Sequence, residues 1–301
     1  MKNEYTFSAI DFHCPQITEK SLELLSDNFN AGDFSKEWWQ WKYLKNPFGE
    51  ALGFYAEKDG EIVALRIFIP WIFYYRNKKF KAFQAVDTVT ATEHRKKGLF
   101  RELTLITLKK IEKQKAFIFN FPNKNSCPGY LSLGWNLKDV RKWFLTHTSI
   151  KAFFTEKKLH SFKMPDFVEN KRSESLSTPR SRDFFKWRFE DNPFNDYFTF
   201  HNSPKDFLVY KLRKLKGFTA AVIMTGDSLD YNKLCRDFIS FMAEKAIFFV
   251  MYNGTNPGFI NFMKKRTTAV LLPREIFFAV KNIPDSIKDK LILELSDSDY
   301  F

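Results

Sequence analysis

The sequence predicts an α/β fold of the α+β kind, arranged as two successive halves that resemble each other. One observation is local: strand-like alternation leads into a helix and then into a short apolar strand. The other is a repeat, in which an aromatic motif recurs at an offset of 146 residues, as from Trp41 to Trp187. We therefore expect two domains, each with its own sheet and helices.

Length and charge are compatible with this arrangement. The chain has 301 residues, more than a typical single domain, and a formal net charge of +13. Such a charge favours an anionic partner. The Lys and Arg residues are spread along the chain, which argues against nucleic acid as the partner. The cysteines Cys14, Cys127 and Cys235 lie far apart, so neither a disulfide framework nor a metal site is predicted.

The first element is a strand over residues 83–90, where apolar and polar residues alternate. Asp87 stands in this strand among Ala, Val and Thr residues. Burial of a carboxyl group there would suit a general base. The same carboxylate could equally bind substrate, hold a backbone group or orient a water, and the sequence leaves these alternatives open.

A basic turn follows, and a helix begins at its end. A glycine-containing turn before a helix exposes backbone N–H groups, and the helix dipole adds positive potential there. Gly98 would let the backbone approach an anion without a Cβ atom. We therefore predict a pyrophosphate-binding turn, composed of Arg95, Lys96, Lys97, Gly98, Leu99 and Phe100.

A buried strand is predicted over residues 116–121, after the helix. Beyond it comes a second set of spaced residues: Asn123, Ser126, Tyr130, Gly134 and Trp135. The order of strand, Arg-x-x-Gly turn, helix, strand and Asn-x-x-Ser-x-x-x-Tyr motif resembles the acetyl-CoA-binding half of the GCN5-related N-acetyltransferases. The resemblance covers roughly residues 52–145, and Phe100 departs from it because the family has a small residue there.

This resemblance implies a mixed, mainly antiparallel and splayed sheet flanked by helices, with acetyl-CoA as cofactor. It implies that Val89 and Thr90 offer backbone N–H groups to the cofactor, and that Asn123 and Ser126 also bind it. Tyr130 matches the residue that protonates the departing thiolate in the family. Together with the turn at residues 95–100, these residues form the expected cofactor site, with Tyr130 and Asp87 as the expected catalytic residues.

The repeat extends this interpretation to the second half. The segment 38–48 recurs as 184–194, with Trp, Asn, Pro and Phe identical at four positions, and both copies predict a helix that docks on a sheet. Strands are predicted near 198–200, 207–212, 218–224 and 246–251, and helices over 231–245 and 257–265. A loop predicted at 225–229 has Asp227 where a phosphate would sit. The second half is therefore interpreted as a degenerate tandem copy that helps to form the acceptor site.

The expected domains are residues 1–152 with the acetyl-CoA site, a connecting segment 153–183, and residues 184–301 as the degenerate domain. We expect no signal peptide, because the first residues are polar, and the apolar run 62–75 is too short to span a bilayer, so a cytoplasmic protein is expected. The acidic residues 294–301 predict either a frayed tail or a docked one.

The leading functional hypothesis is an acetyl-CoA-dependent N-acyltransferase whose acceptor is a small, anionic primary amine. An amino sugar or nucleotide sugar of surface polysaccharide synthesis is the expected acceptor. Two alternatives stay open. One is a peptidoglycan cross-bridge transferase that uses aminoacyl-tRNA, and the other is a non-catalytic module that binds coenzyme A or another ligand.

Overall fold

The chain forms two compact units in a computed structural model that describes residues 4–29, 34–148, 162–164, 174–203 and 206–298. The first unit comprises residues 1–138 and 278–289, and the second comprises residues 139–277 and 290–301. Most of the expected connecting segment lies outside the described residues. The predicted boundaries at 152 and 183 therefore stay a prediction about the sequence.

The sheet of the first unit has the strand order β1-β2-β3-β4-β5-β11. All its neighbours are antiparallel except β4 and β5, which are parallel. A mixed, mainly antiparallel sheet was predicted, and this is confirmed. The strands are β1 (Thr6–Ala9), β2 (Leu52–Lys58), β3 (Glu61–Tyr75), β4 (Lys78–Thr90), β5 (Phe117–Asn120) and the end of β11 (Val270–Lys281).

Helical segments pack on both faces of this sheet. The side chains of β3 alternate in direction, so β3 contributes contacts to both faces. The ring of Trp71 contacts that of Phe48, which follows the first aromatic motif. On the other face, Ala64 clusters with Leu103 of the long helix, and Phe68 clusters with Tyr130. The helices are α1 (Pro15–Asn28), α2 (Lys36–Trp39), α3 (Leu99–Glu112) and α4 (Cys127–Ser132).

The second unit repeats this plan with the order β6-β10-β9-β8-β7, in which β9 and β10 are parallel and the other pairs antiparallel. Its core joins the sheet to two amphipathic helices. The elements are β6 (Asn136–His147), α5 (Arg182–Phe185), β7 (Tyr197–Ser203), β8 (Asp206–Leu215), β9 (Phe218–Asp227), α6 (Tyr231–Glu244), β10 (Phe249–Tyr252) and α7 (Pro257–Lys265).

The two aromatic segments, residues 35–48 and 181–194, adopt the same local structure. In each, one α-helical turn continues as a π-helix, Gln40–Leu44 in the first unit and Lys186–Glu190 in the second. A serine caps each helix, since Ser35 accepts from the N–H of Trp38 at 3.2 Å and Ser181 from that of Phe184 at 3.1 Å. The predicted helices are thus present, but most of each is π-helical.

The loop predicted at 225–229 is partly wrong. Strand β9 continues through Asp227, so only its last residues form a loop before α6. The apolar run of the sequence ends at Met224, whereas the strand stays buried through Gly226, so the sequence hides the final part of this strand. At the other end of the chain, residues 294–298 are docked and buried rather than frayed.

Candidate functional site

Strand β4 has an edge without a strand partner near its end. Its parallel pairing with β5 joins Ala82–Gln84 to Phe117–Phe119, and β4 then continues to Thr90 paired with β3 alone among the described residues. The N–H of Ala91 donates to the carbonyl of Val63 in β3, at 2.9 Å. Because N–H groups alternate in direction along a strand, those of Thr88 and Thr90 face away from β3. We call this side of residues 85–90 the open edge.

This alternation separates the two residues that were expected to contact the cofactor through their backbone. Val89 pairs with Leu65, and its N–H group faces β3. Thr90 directs its N–H and carbonyl to the open edge. Of the two, only Thr90 therefore presents backbone groups on that side.

A β-bulge interrupts β4 beside the open edge. Val86 pairs with Ile67 and Thr88 with Arg66, so Asp87 is the extra residue, and its φ is 20°. Its carboxylate is held from the aromatic segment: the Tyr43 hydroxyl donates to Oδ2 at 2.7 Å, and the Lys42 Nζ lies 2.5 Å from the same oxygen. The Lys42 and Asp87 side chains are only 7% and 14% exposed. Asp87 thus lies in a nearly buried ion pair.

Arg66 contacts the bulge from the face that α3 and α4 cover. Its side chain is fully buried, and Nη1 donates to the Val86 carbonyl at 3.0 Å and to the Thr88 hydroxyl. The guanidinium carbon lies 5.1 Å from the ring centre of Tyr130 and 5.8 Å from that of Phe100. Arg66 therefore connects the bulge to the expected thiolate-protonating residue.

The turn before α3 has the geometry of an anion site. Gly98 has φ 83°, and a Cβ atom added to it would meet no atom within 4 Å. Lys96 also has a positive φ, 63°, and no side chain caps the first N–H groups of α3. Arg95, Lys96 and Lys97 are exposed, whereas Leu99 is buried and anchors the helix. The residues present thus fit a diphosphate group.

Arg95 links this turn to the open edge. Its Nε donates to the Thr90 carbonyl at 3.1 Å, and its Nη2 donates to Asn28 at the end of α1 at 2.9 Å. The carbonyl of Thr90 lies on the open edge, so the turn and the edge are neighbours. Lys97 Nζ lies 3.8 Å from the Glu4 carboxylate. Both side chains are partly exposed, so this ion pair contributes little to the stability of the fold.

Asn123 and Ser126 form the start of α4. The Asn123 side chain accepts from the N–H groups of Asn125 and Ser126, each at 2.9 Å, and the Ser126 hydroxyl accepts from the Asn123 N–H at 3.1 Å. These reciprocal bonds close the turn over residues 123–126 that leads into α4, and no side-chain bond caps the helix at Ser126 itself. Their expected role toward a cofactor stays a prediction.

Tyr130 and Phe100 pack against each other edge to face, with ring centres 5.4 Å apart. Tyr130 is buried, and its other ring neighbour is Trp135 at 5.3 Å. A Cβ atom on Gly129 would lie 3.1 Å from the Phe100 ring, so this glycine gives the large side chain room. The departure from the family motif at Phe100 is therefore accommodated in α4.

The structure brings together the bulge, Arg66, Tyr130 and the turn before α3, whereas the Asp87 carboxylate is bonded to the aromatic segment. Sequence reasoning missed Lys42, Tyr43 and Arg66. A weak signal existed for two of them, because Arg66 is a charge within an apolar run and Lys42 lies between aromatic residues. Cys127 is buried, and desolvation raises the pKa of its thiol, which does not suit a nucleophile.

Two further features concern the described part of the chain. None of its helices combines the length and apolarity that a membrane span requires. Within the same ranges, no group of three His, Cys, Asp or Glu side chains is placed to hold a metal ion.

Comparison with known proteins supports the resemblance. The sequence profile of the acetyltransferase (GNAT) domain matches residues 16–137. No curated protein sequence matches the chain. Solved structures match over nearly its whole length, although sequence identity is low enough that the likeness concerns the fold.

A GCN5-related N-acetyltransferase from Anabaena variabilis has a TM-score of 0.65 at 12% identity, over 93% of this chain and 73% of its own. A probable N-acyltransferase from Enterococcus faecalis has a TM-score of 0.66 at 12% identity, over 92% and 72%. The N-myristoyltransferase of Saccharomyces cerevisiae, solved with bound myristoyl-CoA, has 0.59 at 11%, over 94% and 83%. Residues 16–137 therefore match an acetyltransferase (GNAT) domain, and nearly the whole chain has a fold similar to that of solved GCN5-related N-acetyltransferases.

Proposed function

We propose that the chain is an acyl-CoA-dependent N-acyltransferase that transfers an acetyl group to a primary amine. One observation carries the proposal: the open edge of β4 and the uncapped, glycine-initiated start of α3 are neighbours, joined by Arg95. An acyl-CoA needs both features, since its diphosphate is anionic and its amide-containing arm requires backbone partners. When bound, the acyl-CoA would supply an activated thioester.

The residues suit the proton movements of acyl transfer. A bond forms between the amine nitrogen and the acyl carbon, the carbon–sulfur bond breaks, the amine loses a proton and the thiolate gains one. The N–H groups of Thr88 and Thr90 would donate to the cofactor along the open edge, and Tyr130 would protonate the thiolate. Asp87 is the proposed proton acceptor through Oδ1, because both of the bonds described above end on Oδ2.

We propose an amino sugar, free or linked to a nucleotide, as the acceptor. The net charge of +13 supports the nucleotide-linked form, because its diphosphate makes it anionic, whereas a free amino sugar carries no negative charge. We also propose that the second unit is a degenerate copy of the first. The same strand order and the same α-to-π aromatic segment support this.

Two measurements test the proposal. Calorimetric titration with coenzyme A should give one site per chain. Release of free thiol from acetyl-CoA should then depend on an added amine, with glucosamine, UDP-glucosamine and lysine as the panel. Binding without amine-dependent thiol release would favour the non-catalytic module, and absence of binding would contradict the whole proposal.

The role of Asp87 needs its own variant. Asp87→Asn should lower kcat and change its dependence on pH if this carboxylate takes the proton. A lower melting temperature with an unchanged pH profile would instead make Asp87 a structural residue.

A further inference from the structure

We infer that Lys42, Tyr43 and Arg66 are positioning residues, which fix the β4 bulge so that the open edge keeps its direction. The inference rests on the proposed function, because it concerns the edge that would hold the acyl-CoA. None of these three side chains belongs to the motifs that carry the family resemblance.

The bulge needs support because it breaks the regular pairing of β4 with β3. A bulge leaves one residue unpaired and bends its strand, so the residues after it depend on other contacts for their direction. The residue after the bulge is Thr88. Thr88 and Thr90 are the two residues whose N–H groups point toward the open edge. Small changes at Asp87 would therefore be transmitted to Thr88 and Thr90.

On one face, the aromatic segment holds the bulge. Lys42 and Tyr43 are adjacent in the π-helix and meet the same oxygen of Asp87. Lys42 also lies over the Trp38 ring, 5.0 Å from its centre, and Tyr43 is fully buried. A buried ion pair adds little net stability, because desolvation offsets the attraction between its charges. A geometric role explains this pair better than a stabilising one.

On the other face, Arg66 holds both flanks of the bulge. Its Nη1 donates to Val86 before the bulge and to Thr88 after it. Its planar guanidinium also packs over the Phe68 ring at 4.5 Å and over the Tyr130 ring at 5.1 Å. One side chain therefore sets the distance between the bulge and Tyr130.

The second unit shows that the bulge itself does not require charged partners. Strand β9, which corresponds to β4, also has a bulge where it pairs with β8. Val209 pairs with Thr225 and Tyr210 pairs with Ile223, so the extra residue is Met224. By its place beside the bulge Val209 corresponds to Arg66, and by the 146-residue offset Phe189 corresponds to Tyr43. The polar contacts of Lys42, Tyr43 and Arg66 are found in the first unit, which also has the open edge and the glycine turn. This coincidence favours a role of the three side chains in the function of the first unit.

Tyr43→Phe is the sharpest test, because it removes one hydroxyl, leaves no buried charge unpaired and installs the residue found in the second unit. With acetyl-CoA and glucosamine, kcat should fall roughly 10- to 100-fold, as expected for a small misplacement of reacting groups. KM for acetyl-CoA should change by less than about threefold, because the turn before α3 is intact. The melting temperature should stay close to that of the wild type.

Lys42→Met and Lys42→Arg form a matched pair. Lys42→Met should lower kcat, and Lys42→Arg should keep most of it, because an arginine retains the cation beside Asp87. Lys36→Met is the control, since it breaks an exposed ion pair with Glu19 at 2.7 Å in the neighbouring α-helical turn. It should leave kcat, KM and the melting temperature unchanged.

The outcomes separate the inference from the proposed function. An unchanged kcat in Tyr43→Phe and in a folded Lys42→Met would overturn the inference, whatever happens to stability. If Lys42→Met fails to fold, Tyr43→Phe alone decides. No binding of coenzyme A by the wild type would instead overturn the proposed function, and this inference with it.

Discussion

The two units share the order of four strands, β2-β3-β4-β5 in the first and β7-β8-β9-β10 in the second, yet the long helix begins differently in each. In the first unit, α3 begins after Gly98, with no side-chain cap and open space around it. In the second, α6 begins after Asp230, whose side chain accepts from the Lys233 N–H at 3.0 Å. A carboxylate already occupies the position where an anion would bind. Equal scaffolds can thus differ in anion binding through one capping residue.

The end of the parallel strand pair also differs. In the second unit, β9 pairs with β10 only as far as Ile223 and Tyr252, then continues to Asp227. Its own C-terminal segment, residues 290–298, contacts this region. The Glu294 carboxylate accepts from Asn256 Nδ2 at 2.9 Å and from the Thr225 side chain.

Arg188, which lies in the second aromatic segment, also binds residues 290–298. Its Nε donates to the Ser296 carbonyl at 2.9 Å and its Nη2 to that of Ser298 at 3.0 Å. By the 146-residue offset it corresponds to Lys42, which contacts the bulge in the first unit. One cation of the repeat therefore holds a catalytic candidate in one unit and a chain segment in the other.

The largest expected effect is that of Gly98→Asp. It should raise the Kd for coenzyme A by about 10³-fold or more, because placing like charges side by side costs several kcal/mol. Calorimetry measures it. Gly60→Asp is a matched control, since Gly60 also has φ 83° and a Cβ atom added there would meet open space. Both variants carry the same backbone strain, so equal affinities would contradict the anion site at Gly98.

Tyr130→Phe should act on rate alone. Loss of the hydroxyl should lower the acetylation rate by about 10²- to 10⁴-fold if it protonates the thiolate. The ring contacts with Phe100 and Trp135 remain, so stability and coenzyme A affinity should hardly change. Tyr210→Phe, at a buried tyrosine of the second unit, should leave the rate unchanged. A full rate in Tyr130→Phe would remove this tyrosine from the mechanism.

Local elements were predictable from the sequence because their signals are local. The helix 99–112 follows from apolar spacing after a glycine turn, and the strand 117–120 from a short apolar run. The same holds for the two aromatic segments, whose identical residues recur at one offset. What the pattern could not indicate is that these segments are mainly π-helical, because so short a segment has too few apolar positions to separate the two helical periods.

The candidate site was predictable only in part, because its remaining contacts are long-range. Asp87 was singled out as a charge in a strand, but the bulge that sets its position arises from the register between β3 and β4. Its partner Tyr43 is 44 residues away in sequence. Arg66 was hidden in an apolar run, and its bond to Val86 spans 20 residues. Spacing rules contain no information about such pairs.

A moderate effect of pH on stability is expected from the second unit. Desolvation raises the pKa of Asp297 to about 6, from an ordinary value of 3.8. A raised folded-state pKa means that the stability contributed by the protonated group is complete below about pH 4 and lost by about pH 6. The loss should be at most about 3 kcal/mol, since one pKa unit corresponds to about 1.4 kcal/mol.

Asp297→Asn tests this, because an amide cannot ionise and can still accept from the Glu294 N–H. The difference in unfolding free energy between variant and wild type, from urea titrations at several pH values, should shift in favour of the variant between pH 4 and pH 6. A constant difference would show that the carboxylate of Asp297 is not desolvated.

The smallest expected effect compares the two aromatic segments directly. Ser35 and Ser181 stand at the same repeat offset and cap equivalent helices with bonds of 3.2 and 3.1 Å. Ser35→Ala and Ser181→Ala should each cost about 1 kcal/mol of unfolding free energy, within the usual range of roughly 0.5–2 kcal/mol for a cap. Threonine at either position should restore most of it, because its hydroxyl can accept the same bond. Urea denaturation gives the global cost, and amide hydrogen exchange at Trp38 and Phe184 assigns it to one segment. Equal costs would support duplication of the whole local structure, including its cap. A cost at Ser35 alone would mean that only the first segment depends on a fixed helix start, as expected if its π-helix must place Lys42 and Tyr43 against the bulge.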